Sequence, residues 1–231
     1  MTEQRTRNPV TAGELAARLA VDPAYAEMRG TKDSELEARQ LRYLNAARPV
    51  LDDLRLAGYE VSEIADLRTP PVRKYRDAVP ILIRWLPRIS EITVKEDIVR
   101  TLSVPWARAA IPLLFDEFAR EPDDALRWVI GNALEGFASD ELFDDFARIA
   151  ADRSFGTARQ MVVLGLGRMA DSRAVPLLLA LLEDDDVAVS AMIALGKLRA
   201  KESRPLVERF LGHPDAWVRR KAKTALARID R

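Results

Sequence analysis

Apolar residues return along this chain with a helical period, and the helical pattern is itself repeated. Near the C-terminus Val218, Ala222, Ala225, Leu226 and Ile229 follow i, i+4, i+7, i+8 and i+11, one face of a 3.6-residue helix. The segment ARQMVVLGLGRMADSRAVPLLLALLEDDD matches VAVSAMIALGKLRAKESRPLVERFLGHPDA, and WVRRKAKTALARIDR opens a third copy. Each copy predicts two short helices. Aligned on a leucine of the second helix, the chain gives Leu102, Leu134, Leu166, Leu195 and Leu226, at spacings of 32, 32, 29 and 31. Pro80, Pro112, Pro176 and Pro205 fall in one register of the first helices, with Asp144 in the fifth place. Two independent anchors sharing one period are the mark of stacked helix pairs. Five pairs cover about residues 76–231.

The polar positions fit the same scheme. A proline near the start of a first helix removes an N–H that has no intrahelical partner. Asp123, Asp124, Asp184 to Asp186 and Asp215 fall where a second helix begins and offer cap oxygens and negative charge. Arg168, Lys197 and Arg228 place positive charge at the other end of those helices.

The V-P-L-L opening at Val175 to Leu178, the D/P turn, and A-L-G-x-L at Ala194 to Leu198 resemble the HEAT-like repeat of the phycobilin-lyase type. That resemblance implies an all-α, right-handed α-solenoid of about five helix pairs with a helical N-terminal cap. It implies a binding scaffold whose second helices line the concave side, and it names no partner.

Residues 1–75 depart from the repeat. Thr11 to Glu14 and Ser34 to Glu37 read as capping boxes opening helices, with a short helix from Asp22-Pro23 between them and a break at Gly30. Leu41, Leu44, Ala47, Leu51 and Leu54 form a stripe that Pro49 should kink or split. Gly58 ends it, residues 61–67 suit another short helical turn, and Thr69-Pro70-Pro71 suits a rigid connector. The segment serves as a cap over the first repeat or as a dimerisation element.

Composition narrows the function classes. At 231 residues and 48% hydrophobic content the chain can bury a substantial core. No run of 18 uncharged apolar residues occurs and MTEQRTRNPV holds no apolar signal core, so a membrane role is not expected and a bacterial or comparable cytoplasm is. The absence of cysteine excludes disulfides and thiolate metal sites. Lysine plus arginine and aspartate plus glutamate number 36 each, which disfavours wrapping a polyanion. The charges are unevenly placed: residues 116–186 hold 7 basic and 16 acidic residues, and residues 187–231 hold 11 and 4. That asymmetry either solvates helix faces or orients a partner or a second copy.

Several catalytic readings fail on residue type. Gly165 to Ala170 satisfies G-x-G-x-x-A, but a dinucleotide turn opens a helix and this run closes one, so close helix packing at Gly167 and its counterpart Gly196 is expected. Glu183 to Asp186 lacks the alternating ligands and glycine of a calcium loop. His213 is the only histidine, which excludes the paired His-Glu iron motifs of the HEAT-like deoxyhypusine hydroxylases and leaves little for a Ser triad. HEAT-like alkylpurine DNA glycosylases are the enzymatic alternative, a nucleic-acid-binding or DNA-repair role, but their catalytic aspartate finds no counterpart and the acidic middle suits a DNA groove poorly. Nothing marks a bilin pocket. No cofactor, metal or catalytic residue is expected.

One surface constellation remains. A cation recurs at one second-helix position, as Lys95, Arg127, Arg159 and Arg219, with Ala188 in the fifth repeat. The next position is Glu96, Trp128, Gln160, Val189 and Arg220. Trp128 points away from its own helix's apolar stripe, and Asn132 lies one turn beyond it. Either the arginines pair with carboxylates of neighbouring repeats while Trp128 packs, or Lys95, Arg127, Trp128, Asn132, Arg159, Gln160, Arg219 and Arg220 line a groove for an acidic or mixed-charge protein partner. Trp85 and Trp217 read as packing residues, and Trp106 fits either role.

Overall fold

The computed structural model describes residues 10–69 and 75–231. The chain divides into two compact units, residues 1–45 and 46–231. In the first, Thr11 caps α1 (Ala12–Ala20): its hydroxyl accepts the Glu14 N–H at 3.3 Å and the Glu14 carboxylate accepts the Thr11 N–H at 3.0 Å. Helix α2 (Pro23–Leu56) begins in this unit and runs unbroken for 34 residues. The expected break at Gly30 and the fresh start at Ser34 do not occur. A glycine inside a helix costs about 1 kcal/mol relative to alanine but removes no hydrogen bond, so a long helix tolerates it. Nor does α2 end at Pro49, which lies inside it.

The second unit starts within α2, where Ala47, Val50, Leu51 and Leu54 are buried. Gly58, at φ 90°, turns the chain out of the helix, and the Gly58 and Tyr59 N–H groups return to the carbonyls of Arg55 at 2.9 Å and Leu54 at 3.0 Å. The short turn expected over 61–67 is a 3₁₀ turn, Ile64–Arg68. Pro70 and Pro71 of the expected connector lie outside the described residues. Residues 46–69 pack with the repeats that follow, for Arg68 pairs with Asp97 at 2.8 Å, and Arg84 and the Trp85 indole N–H both reach Asp53 at 2.5 Å.

Five helix pairs follow: α3 (Val79–Trp85) with α4 (Ile92–Leu102), α5 (Ile111–Arg120) with α6 (Asp124–Phe137), α7 (Phe143–Ala151) with α8 (Gln160–Leu166), α9 (Ala174–Leu181) with α10 (Ala188–Leu198), and α11 (Arg204–Glu208) with α12 (Ala216–Ile229). The described residues are all-α, a repeat-helix solenoid without strands. Pro80, Pro112 and Pro205 sit in the first two positions of α3, α5 and α11, where no intrahelical N–H is lost. Asp123 caps α6 and Asp215 caps α12, accepting the N–H of Leu126 at 2.8 Å and of Trp217 at 2.7 Å. The register leucines Leu102, Leu134, Leu166, Leu195 and Leu226 are all buried.

Successive second helices pack on one another from α4 to α12, whereas neighbouring first helices touch far less. The second helices therefore form the more closely packed layer of the stack. Glycines set that closeness. A methyl group built on Gly167 would lie 2.6 Å from the Ala194 Cα, and one on Gly196 would lie 2.8 Å from the Ala225 Cα. The G-x-G run therefore closes α8 and lets the next second helix approach. Because the obstacle is backbone, Gly167→Ala is expected to destabilise the chain by about 1–3 kcal/mol. A urea melt checks this, and an unchanged midpoint would show that the helices do not approach so closely.

Candidate functional site

The cation column is now assignable atom by atom. Arg159 is fully buried: its guanidinium donates to the carbonyls of Gly156 at 3.0 Å and Ala150 at 2.8 Å and to Asp184 at 3.0 Å, with Asp186 at 3.7 Å. Arg127 donates to the carbonyls of Phe118 at 3.2 Å and of Glu121, pairs with Asp124, and lies 5.2 Å from the Phe155 ring centre. Arg219 donates to the carbonyls of His213 and Pro214, both at 2.7 Å. Three of the four cations thus reach back over the turn between the two helices of their own repeat and donate to carbonyls there. Lys95 instead reaches forward to Glu117 at 2.9 Å and Glu121 at 2.5 Å in the next repeat. Burial works against its ammonium, but hydrogen bonds and the charges of those two carboxylates outweigh it and hold the pKa above the usual lysine value. Gln160 joins repeats in the same way, donating to the Asp186 carbonyl at 3.0 Å.

A different surface lies open. A groove of about 360 Å³ crosses the second helices from α6 to α12. Trp128 of α6 and Trp217 of α12 line it, 37% and 44% exposed. Between them Met161 and Leu164 of α8 and Val189 and Ile193 of α10 make an apolar floor. Gln160, Asp185 and Asp186 supply polar atoms on the side where the second helices begin, and Lys221 lies at the α12 end, its ammonium 5.3 Å from the Trp217 ring centre. Large apolar side chains left half in water beside an apolar floor mark a surface that gains by being covered.

Of the eight residues expected in a groove, Trp128 and Gln160 line this one. Arg159 does not reach the surface, and Lys95, Arg127 and Arg219 are held by internal partners. Asn132 is half-buried on α6 and Arg220 is exposed on α12; neither lines the groove. Trp217, expected to pack, is instead the second exposed indole of the groove. The signal was present: it points about 120° away from the stripe running from Val218 to Ile229, the same test that singled out Trp128. Trp85 is half-buried on Asp53, and Trp106 lies edge-on to Tyr75 at 5.8 Å, away from the groove.

The other candidates take structural places. The acidic run Glu183 to Asp186 diverges, with Glu183 pairing with Arg209 at 2.7 Å while Asp184 turns in to Arg159. The His213 Nδ1 accepts the Asp215 N–H at 3.0 Å. Among the described residues no group of three or more His, Cys, Asp or Glu side chains could hold a metal ion, and no helix is long and apolar enough to cross a membrane.

A family model described as HEAT repeats matches residues 111–193, from the start of α5 into α10. No curated protein matches the chain. The matched stretch holds Trp128, the apolar floor and both groove aspartates, and Trp217 lies beyond it.

Proposed function

We propose that this chain, a helix-pair solenoid whose middle repeats match the HEAT family, is a non-catalytic scaffold that seats a protein partner on its second-helix face. The observation that carries this reading is the groove with an exposed tryptophan at each end and an apolar floor between. Tryptophan dominates interface energetics because it offers a large rigid apolar area and one hydrogen-bond donor. The charges beside it are mixed, Asp185 and Asp186 against Lys221, so the partner is of mixed charge. Nucleic acid fits less well, since all three of the column's arginines are spent on backbone carbonyls and two carboxylates stand in the groove wall. The A-L-G-x-L closing pattern supports the finer assignment to the phycobilin-lyase type of repeat, residues 46–69 act as its N-terminal cap, and the cytoplasm is the compartment.

Trp128→Ala combined with Trp217→Ala tests the reading. Proteins captured from native lysate by the parent chain and identified by mass spectrometry are expected to be lost from the double variant, while its melting midpoint stays close to the parent's. Capture that survives the double substitution would rule this face out as the docking surface.

A further inference from the structure

We infer that the groove between Trp128 and Trp217 binds an extended segment of another protein chain that lays an apolar side chain on the groove floor and carries a lysine or arginine beside it for Asp185. This rests on the scaffold reading above and adds the chemistry of the occupant.

The acidic middle of the chain is almost wholly answered from within. Glu117 and Glu121 hold Lys95, Glu135 holds Arg168 and Lys197, Asp144 and Asp171 hold Arg173, and Asp184 holds Arg159. Asp185 is the exception: it is exposed, stands in the groove wall, and among the described residues has neither an ion pair nor a side-chain hydrogen bond. Asp186 beside it shares Arg159 with Asp184 and is 46% exposed, so the wall carries negative charge that the fold leaves uncompensated. The complement is a cation. At the opposite end Lys221 already occupies the Trp217 ring face, so a second cation is repelled there. The segment is thereby oriented, with its basic group toward Asp185 and its apolar group over Met161, Leu164, Val189 and Ile193.

The indoles fit the same occupant. Neither indole N–H has an acceptor among the described residues, and the Trp128 ring has no stacked or cationic neighbour there. Both donors are therefore open to main-chain carbonyls of a bound segment. Packed helices lie about 8–10 Å apart, and an extended chain rises about 3.3 Å per residue. Crossing from α6 to α12 over three such intervals therefore takes about seven to nine residues.

The test uses a phage-displayed library of random 12-residue peptides selected on the full chain. Enriched sequences are then synthesised and measured by fluorescence anisotropy against the parent, Trp128→Ala and Asp185→Lys. Enriched peptides are expected to share an apolar residue next to lysine or arginine and to lose binding to Trp128→Ala. Against Asp185→Lys they should bind about 5- to 10-fold more weakly, more so at low salt than at high salt. Changing the peptide's lysine to glutamate should restore binding to Asp185→Lys. Acidic peptides that depend on Trp128, or basic ones indifferent to Asp185→Lys, would overturn this inference and leave the scaffold reading standing. Enrichment of nothing, or of peptides untouched by Trp128→Ala and Trp217→Ala alike, would overturn both. Self-association of the parent that Asp185→Lys abolishes would make the occupant a second copy of the chain and so defeat the inference.

Discussion

Arg159→Ala is expected to be the most damaging polar substitution in the chain, with a loss of about 3–5 kcal/mol in a urea melt. The guanidinium is wholly out of water and its donors are spent on Gly156, Ala150 and Asp184. Truncation leaves Asp184, itself buried, without its cation, and strips two carbonyls of their donor. Arg153 stands 3.4 Å from Asp184 but is largely exposed, so it screens the stranded carboxylate only in part. Asp184→Ala is expected to cost less, because the guanidinium keeps the Gly156 and Ala150 carbonyls and Asp186 at 3.7 Å. Replacing the pair together with apolar residues should recover some of the loss but not all, since the Ala150 and Gly156 carbonyls remain unserved. Arg127→Ala should cost less, because its carboxylate partner Asp124 is 76% exposed and water replaces the contact. A loss below about 1 kcal/mol for Arg159→Ala would show that the side chain is not sealed in.

The second large effect is expected at the register leucines. Leu166 and Leu195 are fully buried at the same place in neighbouring repeats, and each helix packs against a second helix on either side. Leu166→Ala and Leu195→Ala should each cost about 2–5 kcal/mol, through lost transfer energy and the cavity left behind. Leu226→Ala should cost less: Leu226 keeps 8% exposure, and among the described residues α12 has a second-helix neighbour on one side only. In a solenoid, stability is the sum of repeat and nearest-neighbour terms, so an interior site touches two interfaces and a terminal site touches one. Urea midpoints of the three variants check the order. Equal losses at all three sites would contradict the nearest-neighbour picture, and losses under about 0.5 kcal/mol at Leu166 and Leu195 would contradict the register.

What the sequence determined by itself was everything that depends on a period. The leucine spacing recurs in all five helix pairs and the proline register in four, so errors at one copy are corrected by the others. The cap aspartates hold at α6 and α12, whereas α10 starts from Val187 without a side-chain cap because Asp184 turns in to Arg159. Gly167 and Gly196 belong to the same class, since their occurrence at one repeat position implied close helix approach before any distance was known. Residues 23–45 had no second copy to correct against. Local propensity alone places breaks at Gly30 and Ser34, but it is a weak prior, and α2 runs through both. The cation column shows the other limit. Its recurrence was legible, but whether a long arginine turns outward to solvent or back over the turn depends on where neighbouring carbonyls and carboxylates lie, and the Arg159 partner Asp184 is 25 residues away. Trp128 and Trp217 occupy different columns of the repeat, so no alignment of copies relates them. Only the stacking of α6, α8, α10 and α12 brings both onto one groove, and only the full set of ion pairs and side-chain hydrogen bonds reveals that Asp185, among the carboxylates of the acidic middle, takes part in neither.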